Sequence, residues 1–454
     1  MAPPHLALAA PAAYRRAAYR LAIPGAALLI FAALAALWRW GPHALYFDIL
    51  KLFGFEPFRF PFLDIHAVLA AAQCERLGID VYLTNPCDAL GRAHVYSPLW
   101  LVLIPSFLGT AQTTPVGLSL DLMFILSLYV VIRPVGPVEA LLVAAAALSP
   151  MTVYGLERAN CDLAIFLLIV AGCALDRAPR PWRLGCYALF LIAGLLKYYP
   201  LVLLVLLARE RPREALIGTG LAILITGALA GLGHADLAKA LANIPALSYF
   251  ADSFSALNLP FGFAEAIFGP RLCPAACLLL LSIVAAVAIA RTRRTVGLLA
   301  AAVLDESGWA GQSLLVGALL LTACFFAGQN VDYRGIYFAL AMPGLVRLYR
   351  LAAGDRAVSQ FLARMIAAVL FVAWNEPLRG IVHALAVLVA GDWLRLRIEL
   401  VFWIGRELVW WWLITGLAAI AVSYLLRIPF FGCDLTAFGR LVCGQTRIGA
   451  GAAK

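Results

Sequence analysis

Three short polar motifs, set in an otherwise apolar chain, hold the residue types that could do chemistry. The first is FLDIHAVLAAA, where Asp64 offers a carboxylate able to take a proton as a general base. An aspartate opening such a helical pattern can equally serve as its N-cap, with Gly78 suiting the stop. The second is GLLKYYPLVLL (194–204). Of the four lysines in the chain, Lys197 is the one inside an apolar segment. An unpaired cation there costs about 2.5–3.5 kcal/mol, so an anionic headgroup is its expected partner. A lysine reaching out from a helix end is the plainer explanation. The third motif, FFAGQNVDYRGIYFALAMPGL (325–345), sets Gln329, Asn330, Asp332, Tyr333 and Arg334 between two apolar runs. Arg334 at that border could grip a phosphate through two parallel hydrogen bonds. A polar turn with a salt bridge would read the same way.

Two weaker clusters accompany these. LERANCDLAIFLL (156–168) carries Glu157, Arg158, Asn160 and Asp162, where Asn160 can cap a helix. LSYFADSFSALNLPFG (247–262) offers Asp252, Ser253, Ser255 and Asn258, as a substrate-binding loop or a plain connection. No G-x-S-x-G, H-E-x-x-H or Walker-A motif occurs, and the six histidines are scattered. We therefore expect no metal site and no cofactor. His66, two residues beyond Asp64, would point elsewhere on a helix.

The elements that must position these residues are membrane spans. Of 454 residues, 64% are hydrophobic and only 13% charged, with mean hydropathy +0.91. A soluble domain carries about 25% charged residues. Long apolar runs without dyad alternation select helices over a barrel. The expected fold is an all-α polytopic bundle of about 11–13 spans, with a helical first outer loop. Candidate spans are 21–38, 97–110, 116–132, 138–155, 160–176, 184–207, 213–232, 271–290, 309–328, 335–349, 359–375 and 404–426. The run 97–110 is short and broken by Pro98 and Pro105. Residues 378–395 read as an interfacial helix.

The net charge of +10 sits mainly in arginine clusters flanking spans, which argues for membrane topology and against nucleic acid. Those clusters place 1–20 and 427–454 inside, and the loops 39–95 and 233–270 outside, of one domain spanning 21–426. The tail after Arg427 is Gly-rich and expected to be poorly ordered. The first apolar run is read as a retained span, with the amino terminus cytoplasmic. One conflict stays open: 176–183 is basic enough to be inside, yet alternation puts it outside, unless 97–110 does not cross and 184–207 is re-entrant. The ten cysteines form no CxxC pair, and Cys74 and Cys87 share the first outer loop as a candidate pair.

In the order Asp64, Gly78 with Tyr82, Tyr96 with Pro98, Arg158 with Asn160, Lys197 with Tyr199 and Pro200, then Tyr333 with Arg334, the chain resembles the bacterial membrane glycosyltransferases of the GT-C superfamily. It is most similar to the family-87 polyprenyl-phosphate-mannose-dependent mannosyltransferases. The matching motifs cover about 60–345. The resemblance implies a GT-C-like fold in the bacterial inner membrane, with its site facing the periplasm. It implies Asp64 as catalytic base, and Lys197, Arg334 and Tyr333 on the donor phosphate. Tyr82, Tyr96, Arg158, Asn160 and Tyr199 would then contact substrate, with Asp252, Asn258 and Asn330 as further candidates. Donor and acceptor would be a polyprenyl-phosphate sugar and a glycan, glycolipid or protein. Three positions depart from the family pattern: Tyr-Ser-Pro stands for Tyr-Pro-Pro, Tyr333–Arg334 for Tyr-His, and Ala159 for a glycine. A transporter or flippase is the rival class, marked by paired broken spans in two related halves. No such symmetry is apparent.

Overall fold

A computed structural model describes residues 12–54, 58–134, 136–268, 274–300, 308–389 and 392–427. Most of the 1–20 segment and the tail after Arg427 lie outside the described residues. In chain order the helices are α1 (Ala12–Trp40), α2 (His43–Leu52), α3 (Leu63–Arg76), α4 (Leu99–Leu103), α5 (Thr113–Val131), α6 (Pro137–Ala147), α7 (Pro150–Arg158), α8 (Cys161–Asp176) and α9 (Arg180–Leu196). They continue as α10 (Pro212–Leu232), α11 (His234–Ala242), α12 (Asn258–Phe268), α13 (Pro274–Ala300), α14 (Trp309–Ala327), α15 (Phe338–Leu351), α16 (Arg356–Ala373), α17 (Asn375–Val389) and α18 (Asp392–Leu425). Two short antiparallel strands, β1 (Ser253–Phe254) and β2 (Asn330–Val331), pair Ser253 with Val331 and Phe254 with Asn330.

Among the described residues, eight helices are long and apolar enough to cross a membrane, or nine if the bent pair α6–α7 counts as one span. This is a multi-pass membrane protein. That count falls below the expected 11–13 spans, and three segments account for the difference. Pro98 and Pro105 leave only the five-residue α4 within 97–110. The chain breaks at Lys197, which divides 184–207 into α9 and a 3-10 segment, Tyr199–Arg209. Helix α8, 16 residues long, is not among the eight by length, although it runs from the Asp64 end of the bundle to the 176–183 end.

That break at Lys197 also bears on the conflict at 176–183. Arg183 Nη2 lies 2.6 Å from Glu210 Oε2, and Tyr187 donates its hydroxyl to Glu210 Oε1 at 3.0 Å. The start of α9 and the end of the 3-10 segment therefore meet. Together they form a hairpin with Lys197 at its tip, the arrangement a re-entrant 184–207 would need. Residues 176–183 and 208–213 lie on one face, and the basic loop keeps its expected companions. Arg20, whose Nε donates to the Tyr129 carbonyl at 2.9 Å, brings the near end of α1 to the far end of α5.

The core gathers around α14, α15 and α18, while α10 and α13 are largely unburied and turn apolar side chains such as Leu216, Ile223 and Leu278 outward, as lipid-facing helices do. Helices α14 and α15 cross closely at Gly317 and Gly344, where an added Cβ would meet the backbone of the facing helix. The interfacial helix expected at 378–395 corresponds to α17, which ends at Val389, before α18 begins.

Candidate functional site

The site is assembled where α3, the α7–α8 junction, the hairpin tip and the segment after β2 converge. Sequence sets each approach. Phe62 has a left-handed backbone (φ 66°), and its N–H donates to the Glu157 carbonyl at 2.6 Å, pinning the outer loop onto α7 just before α3 begins. Ala159 is also left-handed (φ 41°), which lets the chain turn from α7 to α8 within two residues. Asn160 then caps α8, accepting the Asp162 N–H through Oδ1 at 2.9 Å.

Asp64 is not the N-cap of α3, because that position is Phe62 and Asp64 lies inside the first turn. Its carboxylate reaches sideways instead. Asn160 Nδ2 donates to Asp64 Oδ2 at 2.6 Å. Arg92 Nη1 and Arg158 Nη1 stand 3.6 and 3.9 Å from Asp64 Oδ1. The Asp64 side chain keeps 13% exposure, so it is not sealed from its surroundings.

Asp162 is the hub on the other side of Asn160, and its side chain is 1% exposed. Lys197 Nζ lies 2.8 Å from its Oδ2, Arg334 Nε lies 3.3 Å from the same oxygen, and Tyr199 donates its hydroxyl to Oδ1 at 2.6 Å. Tyr337 extends the chain through a short hydroxyl–hydroxyl bond with Tyr199. Lys197 also points at Asn160 Oδ1 (3.4 Å) and sits between the rings of Tyr96 and Tyr333, 5.2 and 5.8 Å from their centroids. The Arg334 guanidinium lies 5.0 Å from the Tyr199 ring centroid. Lys197 is thus neither unpaired nor snorkelling: it is a C-cap residue aimed at a buried carboxylate. One carboxylate serves two cations, which leaves positive charge at this point for an incoming anion.

The outer loop supports this centre. Arg92 binds Asp88 through Nε at 3.0 Å and the Leu63 carbonyl through Nη2 at 2.8 Å. Burial pushes the Asp88 carboxyl up, but the hydrogen bonds and charge of Arg92 outweigh it and hold Asp88 below its usual range. His66 points away from Asp64, with Nδ1 at 2.9 Å from the Thr113 hydroxyl, and burial lowers its pKa. Cys74 and Cys87 form a disulfide that clips the end of α3 to the following loop.

Of the expected site residues, the structure brings together Asp64, Tyr96, Arg158, Asn160, Lys197, Tyr199, Tyr333 and Arg334. Tyr82 does not join them; it packs with Val81, Cys74 and Ala240 in the core of the outer loop. Asn258 and Asn330 are structural, with side-chain amides donated to the Ser253 carbonyl and to the Cys324 and Gly328 carbonyls around the β1–β2 pair. Asp252 belongs to a neighbouring buried group with Asp332, Asn375 and Glu376, which lines a small cavity beside Tyr154. Burial and the Glu376 charge raise its pKa to about 6, against the opposing charges of Arg379, Arg406 and Arg158. Sequence reasoning named Asp162 only within a weak cluster and did not name Arg92 or Tyr337. Asp162, an acid at the head of an apolar helix, carried a usable signal. Arg92 and Tyr337 carried none. Among the described residues no three His, Cys, Asp or Glu side chains are grouped to hold a metal ion.

The class defined so far is a multi-pass membrane protein with a buried, charge-dense centre at one end of its bundle. No protein-family model, curated protein or solved structure matches the chain.

Proposed function

We propose that this chain is a membrane glycosyltransferase that moves a sugar, mannose in the first instance, from a polyprenyl-phosphate carrier to an acceptor hydroxyl. The observation that carries this reading is the placement of a partly exposed carboxylate and two cations on opposite sides of one asparagine. Asp64 and the Lys197–Arg334 pair are linked through Asn160, with Asp162 holding the cations. A general base and an anion-stabilising group on either side of a reacting carbon are what a one-step displacement needs.

In this mechanism Asp64 accepts the proton of the acceptor hydroxyl as its oxygen bonds to the anomeric carbon. The bond from that carbon to the phosphate oxygen breaks, and the phosphate leaves with the electron pair. Lys197 and Arg334 stabilise its growing charge in a water-poor setting, and the anomeric centre is inverted. Asp162 keeps both cations in place before the phosphate arrives. Tyr96 and Tyr333 flank Lys197 and would face the donor. The site would open on the periplasmic face of a bacterial inner membrane, with the amino terminus cytoplasmic, as the basic clusters direct.

Transfer from radiolabelled polyprenyl-phosphate-mannose by purified protein, with host membrane extract as acceptor, tests the reading. We expect transfer by wild type and its loss in Asp64→Asn at unchanged folding. Transfer by both would keep the enzyme and remove Asp64 as base. Silence in both, repeated with other lipid-linked sugars, would bring the transporter reading forward.

A further inference from the structure

A cavity of about 840 Å³ lies between α1, α5 and α7, on the other side of Glu157 from the Asp162 cluster. Its wall is mostly apolar, with Phe31, Leu34, Trp38, Leu118 and Phe124 among the lining residues. Helix α1 forms one side of it, and much of the apolar surface of that helix is exposed. A cavity of this size and lining suits the chain of an amphiphile.

Three acceptor side chains in and behind this wall lack a hydrogen-bond donor, beside other polar lining residues such as Arg39, His66 and Thr113. Thr152 and Glu157 line it. Asp121 stands one helical turn from both Leu118 and Phe124, on the α5 face that forms the wall. Asp121 is fully buried, and neither carboxylate oxygen has a hydrogen-bond partner among the described residues. Thr152 Oγ1 and Glu157 Oε2 also lack one. Glu157 has Arg158 Nε at 3.3 Å as its ion partner. Asp121 has no such partner among the described residues, and the charge it feels from Glu157 is repulsive. A carboxylate in an apolar span without a counter-charge is costly. A ligand that supplies the missing donors removes that cost.

We propose that this groove binds an amphiphile with a primary ammonium head, its chain along Trp38, Phe31 and Leu118 and its N–H donors toward Asp121, Glu157 and Thr152. An ammonium carries three donors and one positive charge, which match the three acceptor side chains and the unbalanced carboxylate. A phosphate head at that position would meet the Asp121 and Glu157 carboxylates, and Arg39, the arginine that lines the cavity, is exposed. The site goes beyond the sugar-transfer reading and does not depend on it.

Trp38 and Trp40 line the groove and report on it. With full-length protein in nanodiscs of choline-headed lipid, a chain-brominated alkylamine should quench tryptophan fluorescence saturably, and Trp38→Phe combined with Trp40→Phe should remove that saturable part. A brominated alkyl phosphate of equal length should bind at least tenfold more weakly. Asp121→Asn should abolish the preference, Thr152→Val should weaken it, and Asp121→Glu should restore it. Equal quenching by both probes, or a preference unchanged in Asp121→Asn and Thr152→Val, overturns the proposal. Ethanolamine-headed nanodiscs separate the two sources of the amine. Competition with the probe identifies a bilayer lipid as the ligand, and undiminished probe binding identifies a free long-chain amine. Because the readout is binding, a failed transfer assay leaves this result standing.

Discussion

Asn160 donates through Nδ2 to Asp64 Oδ2 at 2.6 Å, although the two residues are 96 positions apart in the chain. Its Oδ1 is engaged at the same time by the Asp162 N–H and by Lys197. One amide therefore fixes which way the proposed base points and how far it stands from the cations.

Replacing this amide should separate position from charge. In Asn160→Ala we expect sugar transfer to fall about a hundredfold, the scale of a misplaced reacting group. Asn160→Gln should not rescue it, because the longer side chain cannot cap α8 and reach Asp64 together. Steady-state transfer rates, with thermal unfolding as the folding control, check this. Unchanged rates in Asn160→Ala would show that Asp64 is positioned by Arg92 and Arg158 alone.

The Asp162 hub predicts an asymmetry between its partners. Lys197→Met leaves Asp162 with Arg334 and Tyr199, so the protein should still fold while losing donor-dependent transfer. Asp162→Asn leaves two cations facing each other in a buried place, a change worth about 3–5 kcal/mol of destabilisation. Thermal unfolding in detergent should therefore drop clearly for Asp162→Asn and little for Lys197→Met. Equal losses would mean that Lys197, not Asp162, organises the cluster.

The contrast between Lys197 and Asp162 also shows what could be read from the chain. Lys197, Arg334 and Asp64 are charged residues in apolar surroundings, and hydrophobicity alone marks them. Asp162 sits in a cluster that a helix cap explains equally well, and its meaning depends on Lys197 and Arg334 arriving from 35 and 172 residues away. Arg92 and Tyr337 are ordinary in sequence and become informative only through long-range packing. The apolar runs located the helices well. The count of crossings failed where hydropathy continues through a backbone break, as it does across Lys197 and Tyr198.

The re-entrant hairpin can be tested without any activity. Arg183 meets Glu210, so residues 178 and 211 lie on the same face, whereas Asp236 on α11 shares the face of the Asp64 loop through the Lys239–Asp80 ion pair at 2.7 Å. In sealed vesicles, an impermeant thiol reagent should modify Ala178→Cys and Arg211→Cys from one side and Asp236→Cys from the other. The native free cysteines among the described residues are buried and give little background. Modification of 178 and 211 from opposite sides would replace the hairpin with a full crossing. The whole assignment of the site to one end of the bundle would then fail.

The outer loop should loosen in acid, and His94 sets the range. His94 is 3% exposed between the rings of Tyr82 and Tyr96, and its Nε2 has no hydrogen-bond partner among the described residues. Burial lowers its pKa from 6.5 to about 4, against a smaller opposing effect of its hydrogen bond with Ser97. A histidine depressed in the folded state adds stability that is full above pH 6.5 and lost as pH falls through about 4. The shift corresponds to at most about 3 kcal/mol. His66 is lowered as well and acts with the same sign. Asp88, held below its usual range by Arg92, weakens only at lower pH, below the ordinary carboxylate value. Hydrogen exchange over 79–96, corrected for intrinsic rates, should speed up between pH 6.5 and 4 in wild type. His94→Phe keeps the ring stack and removes the proton site, so most of that dependence should vanish and only the His66 share should remain. An unchanged profile in His94→Phe would assign the acid response to the carboxylates instead.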